Sequence, residues 1–449
     1  MKIRSILISI LCALYLTASA DDWPSWLGQQ GDAVLSDDGF VTVIPEGGLK
    51  TKWEVPVNLG YSGPSVAEGK VFLMDYIRSG GDITNRASWS DKLTGQERVV
   101  CLDDASGEEL WVFSYDRPYE MSYAGGPRCT PIYSDGKVYA LGAEGDLHCL
   151  DAETGSKFWS KNFYNDYGAE TPRWGHAAHP LVYEDLLICI VGGIGSVAVA
   201  FDKETGEERW RSLSADMQGY CPPSIIHHAG VDQLIIWHPE GLFSLNPLTG
   251  KVYWSQDLRP KLGLTVSAPR HSGDLLYASG QGSAGGLFRL NSEKPGAELV
   301  WLGNPRNAIY TLNNTPAFTE DAIYGVDLET SALTAVDPAD GDRIWETREP
   351  VIDAAVLAEN RQRVRHGTAF LIRHQDTDTF YIFSENGDLI LAELTLSGYK
   401  ELGRQNILEP TSSTMNRKVV WSHPAFANRT VFARSDEKLV AVDLDAENY

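Results

Sequence analysis

Residues 130–159 read TPIYSDGKVYALGAEGDLHCLDAETGSKFW, and this stretch decides the fold. It contains short β-patterns separated by three tight-turn signals: Asp135-Gly136, Glu144-Gly145-Asp146 and Glu153-Thr154-Gly155. Such turns join neighbouring antiparallel strands with few residues. The stretch therefore predicts a four-stranded meander that ends at Trp159. A unit of this size cannot bury its own faces, so it is expected to be one of several copies.

The end of the meander recurs along the chain as Asp-x-x-Thr-Gly-x-x-x-Trp. Asp151–Trp159 and Asp202–Trp210 fit fully, and other copies replace one residue or, at Asn291–Trp301, stretch the motif. The closing tryptophans are Trp111, Trp159, Trp210, Trp254, Trp301 and Trp345, with spacings of 48, 51, 44, 47 and 44 residues. These spacings are typical of propeller blades.

The motif has a structural purpose. Asp and Thr side chains bond nearby backbone, and glycine adopts positive φ in the turn. The tryptophan offers a large apolar face and one N–H donor. We therefore expect each tryptophan to lie between two blades and to bond the turn of its neighbour.

Two irregular copies complete the count. A blade from His366 to about Arg404 lacks the tryptophan but keeps a middle turn at residues 384–388. The last segment, from Trp421 to Leu444, has only three strand patterns, while residues 49–55 near the other end of the chain carry an orphan tryptophan, Trp53. The sequence thus predicts an all-β, eight-bladed propeller of four-stranded antiparallel blades, with the ring closed by an N-terminal strand.

These repeats resemble the tryptophan-docking (PQQ-like) repeats of the quinoprotein β-propeller family. The opening Trp-Pro-x-Trp-x-Gly at residues 23–28 and the turns at residues 142–146 and 384–388 are similar to those of exported bacterial PQQ-binding-like repeat proteins. The resemblance implies the eight-bladed fold over nearly all of the mature chain. It implies less about activity, because the family contains both dehydrogenases and non-enzymatic members, such as the propeller subunit of the outer-membrane assembly machinery.

The first 20 residues have a basic start, an apolar run from Ile6 to Leu16 and an Ala-Ser-Ala site, which predicts a signal peptide cleaved after Ala20. A short membrane anchor is the alternative. The expected organisation is a signal peptide at 1–20, an N-terminal cap at 21–48 and the propeller at 49–449. We expect a monomeric periplasmic or secreted protein with no membrane span.

Charge and cysteine content narrow the function classes. The formal net charge is −23, which argues against nucleic-acid binding because phosphate contacts need a basic surface. No two cysteines are adjacent and none form C-x-x-C. The five cysteines after the signal are predicted to be small buried core residues: Cys101, Cys129, Cys149, Cys189 and Cys221.

Candidate binding residues cluster where each innermost strand begins. In a propeller these positions line the channel on the face that carries the B–C turns and the links between blades. The candidates are Tyr61, Arg128, Trp174, His176, His179, Tyr220, Asn314, Arg365, His366, Trp421 and His423. They predict a polar, aromatic-lined ligand pocket, although polar groups that satisfy backbone and water in a wet channel are the alternative. The histidines show no metal-ligand spacing, so no metal site is predicted.

Two insertions are expected to decorate the same face. Residues 76–98 form a long B–C loop that contains Trp89, and residues 349–366 end in a basic cluster with Arg361, Arg363 and Arg365. Such a cluster suits a carboxylate or a peptide C-terminus, or else internal ion pairs in a solvated loop. Long loops on a rigid scaffold often carry function.

Two functions remain open. The first is a non-enzymatic binding or scaffold protein that takes a protein, peptide or small-molecule ligand on its channel face, with no cofactor expected. The alternative, implied by the resemblance, is a quinoprotein oxidoreductase of the alcohol or sugar dehydrogenase type with PQQ and calcium. The alcohol dehydrogenases that these repeats resemble have a ring formed by two adjacent cysteines, and this chain has no adjacent cysteines. Trp174 or Trp421 could serve as a floor for the cofactor. No catalytic residue is predicted.

Overall fold

Eight four-stranded antiparallel sheets surround one central channel in the computed structural model, which describes residues 22–352, 355, 358 and 364–449. The all-β, eight-bladed prediction is confirmed. The proposed signal peptide, with its cleavage after Ala20, and the candidate arginines Arg361 and Arg363 lie outside the described residues. Among the described residues, no helix has the length and apolar character needed to cross a bilayer.

The strands follow the chain from blade to blade. Two strands precede the first complete blade: β1 (Val34–Leu35) and β2 (Thr51–Pro56). Blade 1 contains β3 (Ser65–Ala67), β4 (Lys70–Gly80), β5 (Asp91–Asp103) and β6 (Glu109–Asp116), and β7 (Tyr119–Met121) adds to β5. Blade 2 contains β8 (Ile132–Ser134), β9 (Lys137–Leu141), β10 (Asp146–Asp151) and β11 (Lys157–Asn162). Blade 3 contains β12 (Leu181–Tyr183), β13 (Leu186–Ile190), β14 (Ala198–Asp202) and β15 (Glu208–Ser212).

The remaining blades repeat this order. Blade 4 contains β16 (Ser224–His228), β17 (Val231–His238), β18 (Gly241–Leu245) and β19 (Val252–Gln256), and blade 5 contains β20 (Arg270–Ser272), β21 (Leu275–Gly280), β22 (Ala284–Leu290) and β23 (Ala297–Leu302). Blade 6 contains β24 (Ala317–Phe318), β25 (Ile323–Val326), β26 (Leu333–Val336) and β27 (Arg343–Thr347), and blade 7 contains β28 (Ala369–His374), β29 (Thr379–Ser384), β30 (Asp388–Thr395) and β31 (Gly398–Asn406). A hairpin of β32 (Ser412–Thr414) and β33 (Arg417–Val419) leads to blade 8, with β34 (Ala425–Ala427), β35 (Thr430–Arg434) and β36 (Lys438–Asp443). The helical pieces are α1 (Phe163–Tyr167) and two 3₁₀ turns, Lys261–Gly263 and Ala446–Asn448.

The ring closes through β2, as the sequence predicts. β2 is the fourth strand of blade 8 and pairs with β36 in an antiparallel register in which Trp53 lies opposite Ala441 and Pro56 opposite Lys438. This pairing satisfies the outer backbone groups of β36, which would otherwise form an open sheet edge. The two ends of the chain are thereby joined in one sheet.

The motif tryptophans link neighbouring blades. The acceptor is usually the carbonyl that follows the motif Asp or Asn of the next blade, and the N–H···O distances are 2.8–3.1 Å: Trp53 to Asp104, Trp111 to Ala152, Trp159 to Lys203, Trp210 to Pro247, Trp301 to Pro338 and Trp345 to Thr395. The ring also covers the bare Cα of the motif glycine. At Gly155, with φ of +69°, an added Cβ would lie 2.5 Å from the Trp111 ring. The predicted docking is confirmed in these six copies.

Trp254 departs from this pattern. Its indole N–H donates to Gln233 Oε1 in its own blade, at 2.9 Å. The blade that it faces carries the stretched motif copy, Asn291–Trp301, and an added Cβ on Gly296 would contact only residues of its own turn. The two extra residues therefore move the docking glycine away, and Gln233 supplies the missing acceptor.

The N-terminal segment closes the channel at the end opposite the B–C turns. Trp23 exchanges two backbone hydrogen bonds of 2.8 Å with Val66 of blade 1. The guanidinium of Arg270, in blade 5, donates to the carbonyls of Gly31 and Asp32, at 2.8 and 2.6 Å. β1 then runs parallel to β28 of blade 7. This segment therefore bridges blades on opposite sides of the axis at that end of the channel.

All five described cysteines are free and buried. Each thiol has a pKa above its ordinary value, chiefly because burial disfavours the thiolate. Cys101 and Cys149 pack among apolar side chains of adjacent blades. The prediction of small buried core residues is confirmed.

His148 makes stability depend on pH. Its ring lies 4.5 Å from the Tyr115 ring, and neither nitrogen has a partner among the described residues. Burial lowers its pKa to about 4, with smaller contributions from Lys157 and Arg117. The unfolded chain therefore takes up a proton below pH 6.5 that the folded chain refuses, and stability falls as pH drops towards 4.

We expect His148→Leu to flatten this dependence. Between pH 7 and pH 5 the wild type is expected to lose on the order of 2 kcal/mol more unfolding free energy than the variant, from the size of the pKa difference. Urea unfolding at several pH values measures this. Parallel curves for the two proteins would show that His148 does not stay neutral in the fold.

Candidate functional site

A cavity of about 490 Å³ occupies the open end of the channel. Its lining comes mainly from the links between blades, which all meet on this face. One close approach shapes it: a Cβ on Gly63 would lie 2.1 Å from the His423 carbonyl oxygen. Only glycine fits where these two links meet, which explains the Ser62-Gly63-Pro64 start of blade 1. A pocket of this volume is of the usual size for small-molecule sites.

Trp26 forms the floor of the cavity. Its indole stacks on the His179 ring with centroids 4.6 Å apart and planes only 5° from parallel, and it meets His423 edge-on at 6.2 Å. The N-terminal segment holds Trp26 at this depth, because the adjacent Pro24 carbonyl accepts a 2.8 Å bond from the Tyr133 N–H of blade 2. The floor is therefore flat, aromatic and part of the cap.

The two floor histidines are neutral and have complementary tautomers. His179 Nδ1 accepts from the Thr130 N–H at 3.0 Å, so its proton is on Nε2. His423 Nδ1 lies 2.8 Å from the Pro424 carbonyl, which can only accept, so its proton is on Nδ1. Burial lowers the pKa of His179 to about 3 and that of His423 to about 4. The floor thus offers one ring N–H donor and one ring acceptor without charge.

Arg128 brings positive charge to one wall. Its guanidinium lies over the Tyr61 ring, 5.2 Å from the centroid, and donates to the carbonyls of Gly126, Tyr123 and Ser122. These bonds hold the side chain in place. In the part of the chain that the structure describes, Arg128 pairs with no carboxylate. Burial raises the pKa of Tyr61, and Arg128 opposes that rise.

A second aromatic pair forms the wall at blades 3 and 4. Trp174 and Tyr220 meet edge-to-face with centroids 5.7 Å apart, and the Arg173 guanidinium lies 5.8 Å from the Trp174 ring centroid. Tyr220 is only 3% exposed, and its hydroxyl donates to no group among the described residues. Burial raises the pKa of Tyr220 to about 12, so the phenol keeps its proton at neutral pH.

The buried carboxylate of Glu385 contacts the indole N–H of Trp421. Glu385 forms an ion pair with Arg417, with Nε 2.6 Å from Oε1, and accepts from the Thr368 N–H at 3.0 Å. The Trp421 indole N–H reaches the same carboxylate at 3.5 Å. Burial raises the pKa of Glu385, and Arg417 opposes that rise. Glu385 thus orients Trp421 but does not line the cavity.

The structure brings most of the candidate residues together. Those that line the cavity are Tyr61, Arg128, Trp174, His179, Tyr220, Asn314, His366, Trp421 and His423. Of these, Asn314 is engaged in the fold, because its amide exchanges bonds of 3.2 and 3.3 Å with the backbone of Val326. Lining a cavity makes these residues available to a ligand, and their role in binding stays a prediction.

Two candidates lie elsewhere. His176 is 3% exposed and packs edge-on against Phe163, 5.3 Å between centroids, beneath the link from blade 2 to blade 3. Arg365 points outward and forms an ion pair with Glu329. Residue spacing placed both on the channel face, but the local turns direct His176 into the core and Arg365 into solvent.

The first insertion reaches the mouth of the cavity. Most of it lengthens β4 and β5, and only its tip, which includes Ala87 and Ser88, meets the cavity. The tip is held by Asn85, whose amide donates to the Ser413 carbonyl at 2.7 Å. Trp89 beside it is 61% exposed.

Several lining residues were missed by the sequence reasoning. They are Trp26, Tyr123, Arg173, Gln281, Phe370 and Met415, among others. A signal existed for Trp26, because it belongs to the Trp-Pro-x-Trp-x-Gly opening. That motif precedes the first blade, however, and nothing in its spacing says that it enters the channel.

Comparison with known proteins identifies relatives of two kinds. The family model described as outer membrane protein assembly factor BamB matches residues 95–347 and 244–448. The dehydrogenase subunit of the quinone-type alcohol dehydrogenase of Komagataeibacter europaeus is 24% identical over 331 residues, 68% of this chain and 36% of that protein. Quinohemoprotein alcohol dehydrogenase ADH-IIG of Pseudomonas putida is 28% identical over 265 residues, 57% of this chain and 30% of that protein. The chain thus spans about a third of the length of these relatives.

A solved structure supports the same architecture. Quinohemoprotein alcohol dehydrogenase from Comamonas testosteroni superposes with a TM-score of 0.60 at 12% identity, covering 94% of this chain and 80% of that one. At this identity the likeness concerns the fold alone.

The cavity does not fit a calcium-bound quinone. Calcium takes carboxylate, amide and carbonyl oxygens. The described lining offers the amides of Gln281, Asn313 and Asn314. It offers no Asp or Glu carboxylate that would balance the charge of the ion, and Arg128 adds positive charge beside it. Glu385 is taken by Arg417, and none of the free cysteines lines the cavity. No group of three His, Cys, Asp or Glu residues in the described chain is arranged to hold a metal.

Proposed function

Since this chain belongs to the PQQ-repeat β-propeller family represented by the assembly factor BamB, we propose that it is a non-enzymatic binding protein that receives its ligand in the channel-face cavity. One observation carries the proposal: the cavity is aromatic-walled and positively charged, and its described lining contains no carboxylate. Such a lining can bind and orient a ligand, but its two floor histidines are weak general bases near neutral pH, because burial lowers their pKa values to about 3 and about 4.

The scaffold suits this role. The closed ring and the cap connect the cavity walls to several blades. Walls that are preorganised in this way reduce the ordering entropy that a ligand loses on binding. The ligand is a small molecule, or a segment of a protein partner, that enters from the open face. We further propose that the protein is an exported monomer in the periplasm or outside the cell.

The competing function is quinone-dependent alcohol oxidation, the activity in the names of two of the relatives. An activity assay distinguishes this function from the binding role: PQQ and Ca²⁺ are added to the purified protein, and dye reduction is followed with alcohols and sugars as substrates. We expect no turnover. Stoichiometric cofactor binding with turnover would overturn the proposal.

A pair of variants tests where the ligand binds. Trp174→Ala removes one wall of the cavity, whereas Phe158→Ala removes an exposed ring from the outer strand β11. Mass spectrometry identifies the molecules that co-purify with each variant from the native envelope. We expect the amount of bound ligand or partner to fall at least about tenfold in Trp174→Ala, because an aromatic anchor is lost, and to stay unchanged in Phe158→Ala. Equal retention by both variants would place binding outside the cavity.

A further inference from the structure

We propose that the ligand carries a carboxylate on a flat apolar body, and that Arg128 and the Tyr220 hydroxyl receive the carboxylate. This rests on the proposed binding role of the cavity and names the class of ligand. Three features of the lining lead to it: a fixed cation without a counter-ion, an orphaned hydroxyl donor and aromatic surfaces on several sides.

Arg128 is the fixed cation. Its two terminal nitrogens are held by carbonyls of the 122–126 loop. Carbonyls satisfy its N–H groups but do not neutralise its charge. A half-buried cation is costly when it lacks an anionic partner. Among the described residues neither Arg128 nor Arg173 forms an ion pair, so the charge at this wall is available to an anion that enters the cavity.

Tyr220 supplies the second, independent feature. Buried hydroxyls nearly always have hydrogen-bond partners, yet the Tyr220 hydroxyl donates to no group in the described part of the chain. Burial raises the pKa of this hydroxyl, and the Trp174 backbone N–H lies close enough to its oxygen to lower the pKa, which leaves the hydroxyl proton free for an acceptor. Tyr220 lines the cavity, and Arg128 and Arg173 are both close enough to oppose the rise in its pKa. A protonated phenol beside two guanidinium groups suits an acceptor that carries negative charge.

The remaining surface determines the body of the ligand. Trp26, Trp174 and Trp421 present ring faces or edges to the cavity, and Leu262 and Leu264 add aliphatic surface. The floor histidines are neutral, so they add no positive charge at the floor. Because the described lining contains no Asp or Glu, a ligand with a charged amine would find no carboxylate partner there. An acid with one flat apolar group matches this distribution.

The carboxylate has two possible sources with the same chemistry: a free small acid, or the C-terminus of a peptide that ends in an aromatic residue. Indole-3-acetate probes the first, and an N-acetylated pentapeptide ending in Trp probes the second. Indole-3-acetamide and the amidated peptide are the matched neutral controls. Isothermal titration calorimetry measures all four against the full-length mature protein.

We expect at least one acid to bind about tenfold or more tightly than its amide, as for a charge-assisted hydrogen bond. Binding of the small acid alone or of the peptide acid alone identifies the source. Equal binding of acid and amide would overturn the carboxylate inference while leaving the binding role intact. Binding of neither acid overturns it as well, and quinone turnover would overturn the binding role itself.

Variants assign the contact. Tyr220→Phe removes one oxygen and is expected to weaken the acid about tenfold and its amide little. Arg128→Gln removes one of the two guanidinium charges and is expected to weaken the acid more and to reduce the salt dependence of its Kd. Arg365→Gln, which alters an exposed arginine outside the cavity, is the control and should leave every Kd unchanged. Equal weakening of acid and amide by Tyr220→Phe would show that the hydroxyl does not bind the anion.

Discussion

Trp111→Ala is expected to lower the free energy of unfolding by about 3–5 kcal/mol, the usual cost of emptying a buried tryptophan site. Trp111 is 9% exposed and lies between blades 1 and 2. Its ring covers Gly155, and its N–H donates to the Ala152 carbonyl at 3.0 Å. The substitution leaves a void and also leaves that carbonyl without its donor. Urea unfolding followed by circular dichroism measures the loss.

Trp111→Phe separates the two contributions. It keeps a ring over Gly155 but removes the N–H, so we expect a smaller loss, about 1–2 kcal/mol for the unmet hydrogen bond and the smaller ring. Trp254→Phe is the matched comparison, because its lost bond goes to Gln233 within the same blade. A loss below about 1 kcal/mol for Trp111→Ala would contradict the view that this residue anchors adjacent blades.

Deleting residues 22–57 is expected to abolish cooperative folding of the monomer. The deletion removes the cap and β2, which exposes the backbone groups of β36 and the apolar residues beneath the cap, such as Phe426 and Tyr381. An unpaired strand edge beside exposed apolar surface favours association with other chains. Light scattering should show oligomers or aggregates, and thermal unfolding should lose its single sharp transition.

The removed segment serves as the control. A synthetic peptide of residues 22–57 added in trans is expected to restore a monomeric propeller, because β2 pairs with β36 without a covalent link between them in the local sheet. The same peptide with Val55→Pro is expected to fail, since proline removes a donor from a strand position and restricts the backbone. A truncated chain that stays monomeric with an unchanged transition would contradict this role of the N-terminal strand.

The repeat pattern is a local property, which is why the sequence predicts it well. The motif Asp151–Trp159 encodes a turn and an anchor within nine residues, and its copies reveal blade number and strand order. Even the closure of the ring follows from counting the copies. The last copy, Trp421–Leu444, has only three strand patterns, and Trp53 near the start of the chain belongs to no complete copy. The exception at Trp254 also traces to a visible irregularity, the stretched turn that follows it.

The candidate site is less local. Residue order places Arg128, Tyr220 and His423 at the starts of innermost strands, and the sequence therefore finds them. It does not distinguish His176, which turns into the core, from His179, which faces the cavity only three residues later. Side-chain direction in a link between strands depends on the φ and ψ of each residue, and no simple period governs it.

By itself, the sequence determined the number of blades and their closure, because these follow from short repeated signals. Only the tertiary structure decided that the cap lays Trp26 against His179 and that Glu385 forms an ion pair away from the cavity. It also decided that Tyr220 and Arg128 line one cavity whose described lining has no carboxylate. These facts join residues that lie between 32 and 153 positions apart in the chain, and such contacts are set by how whole blades pack around the channel.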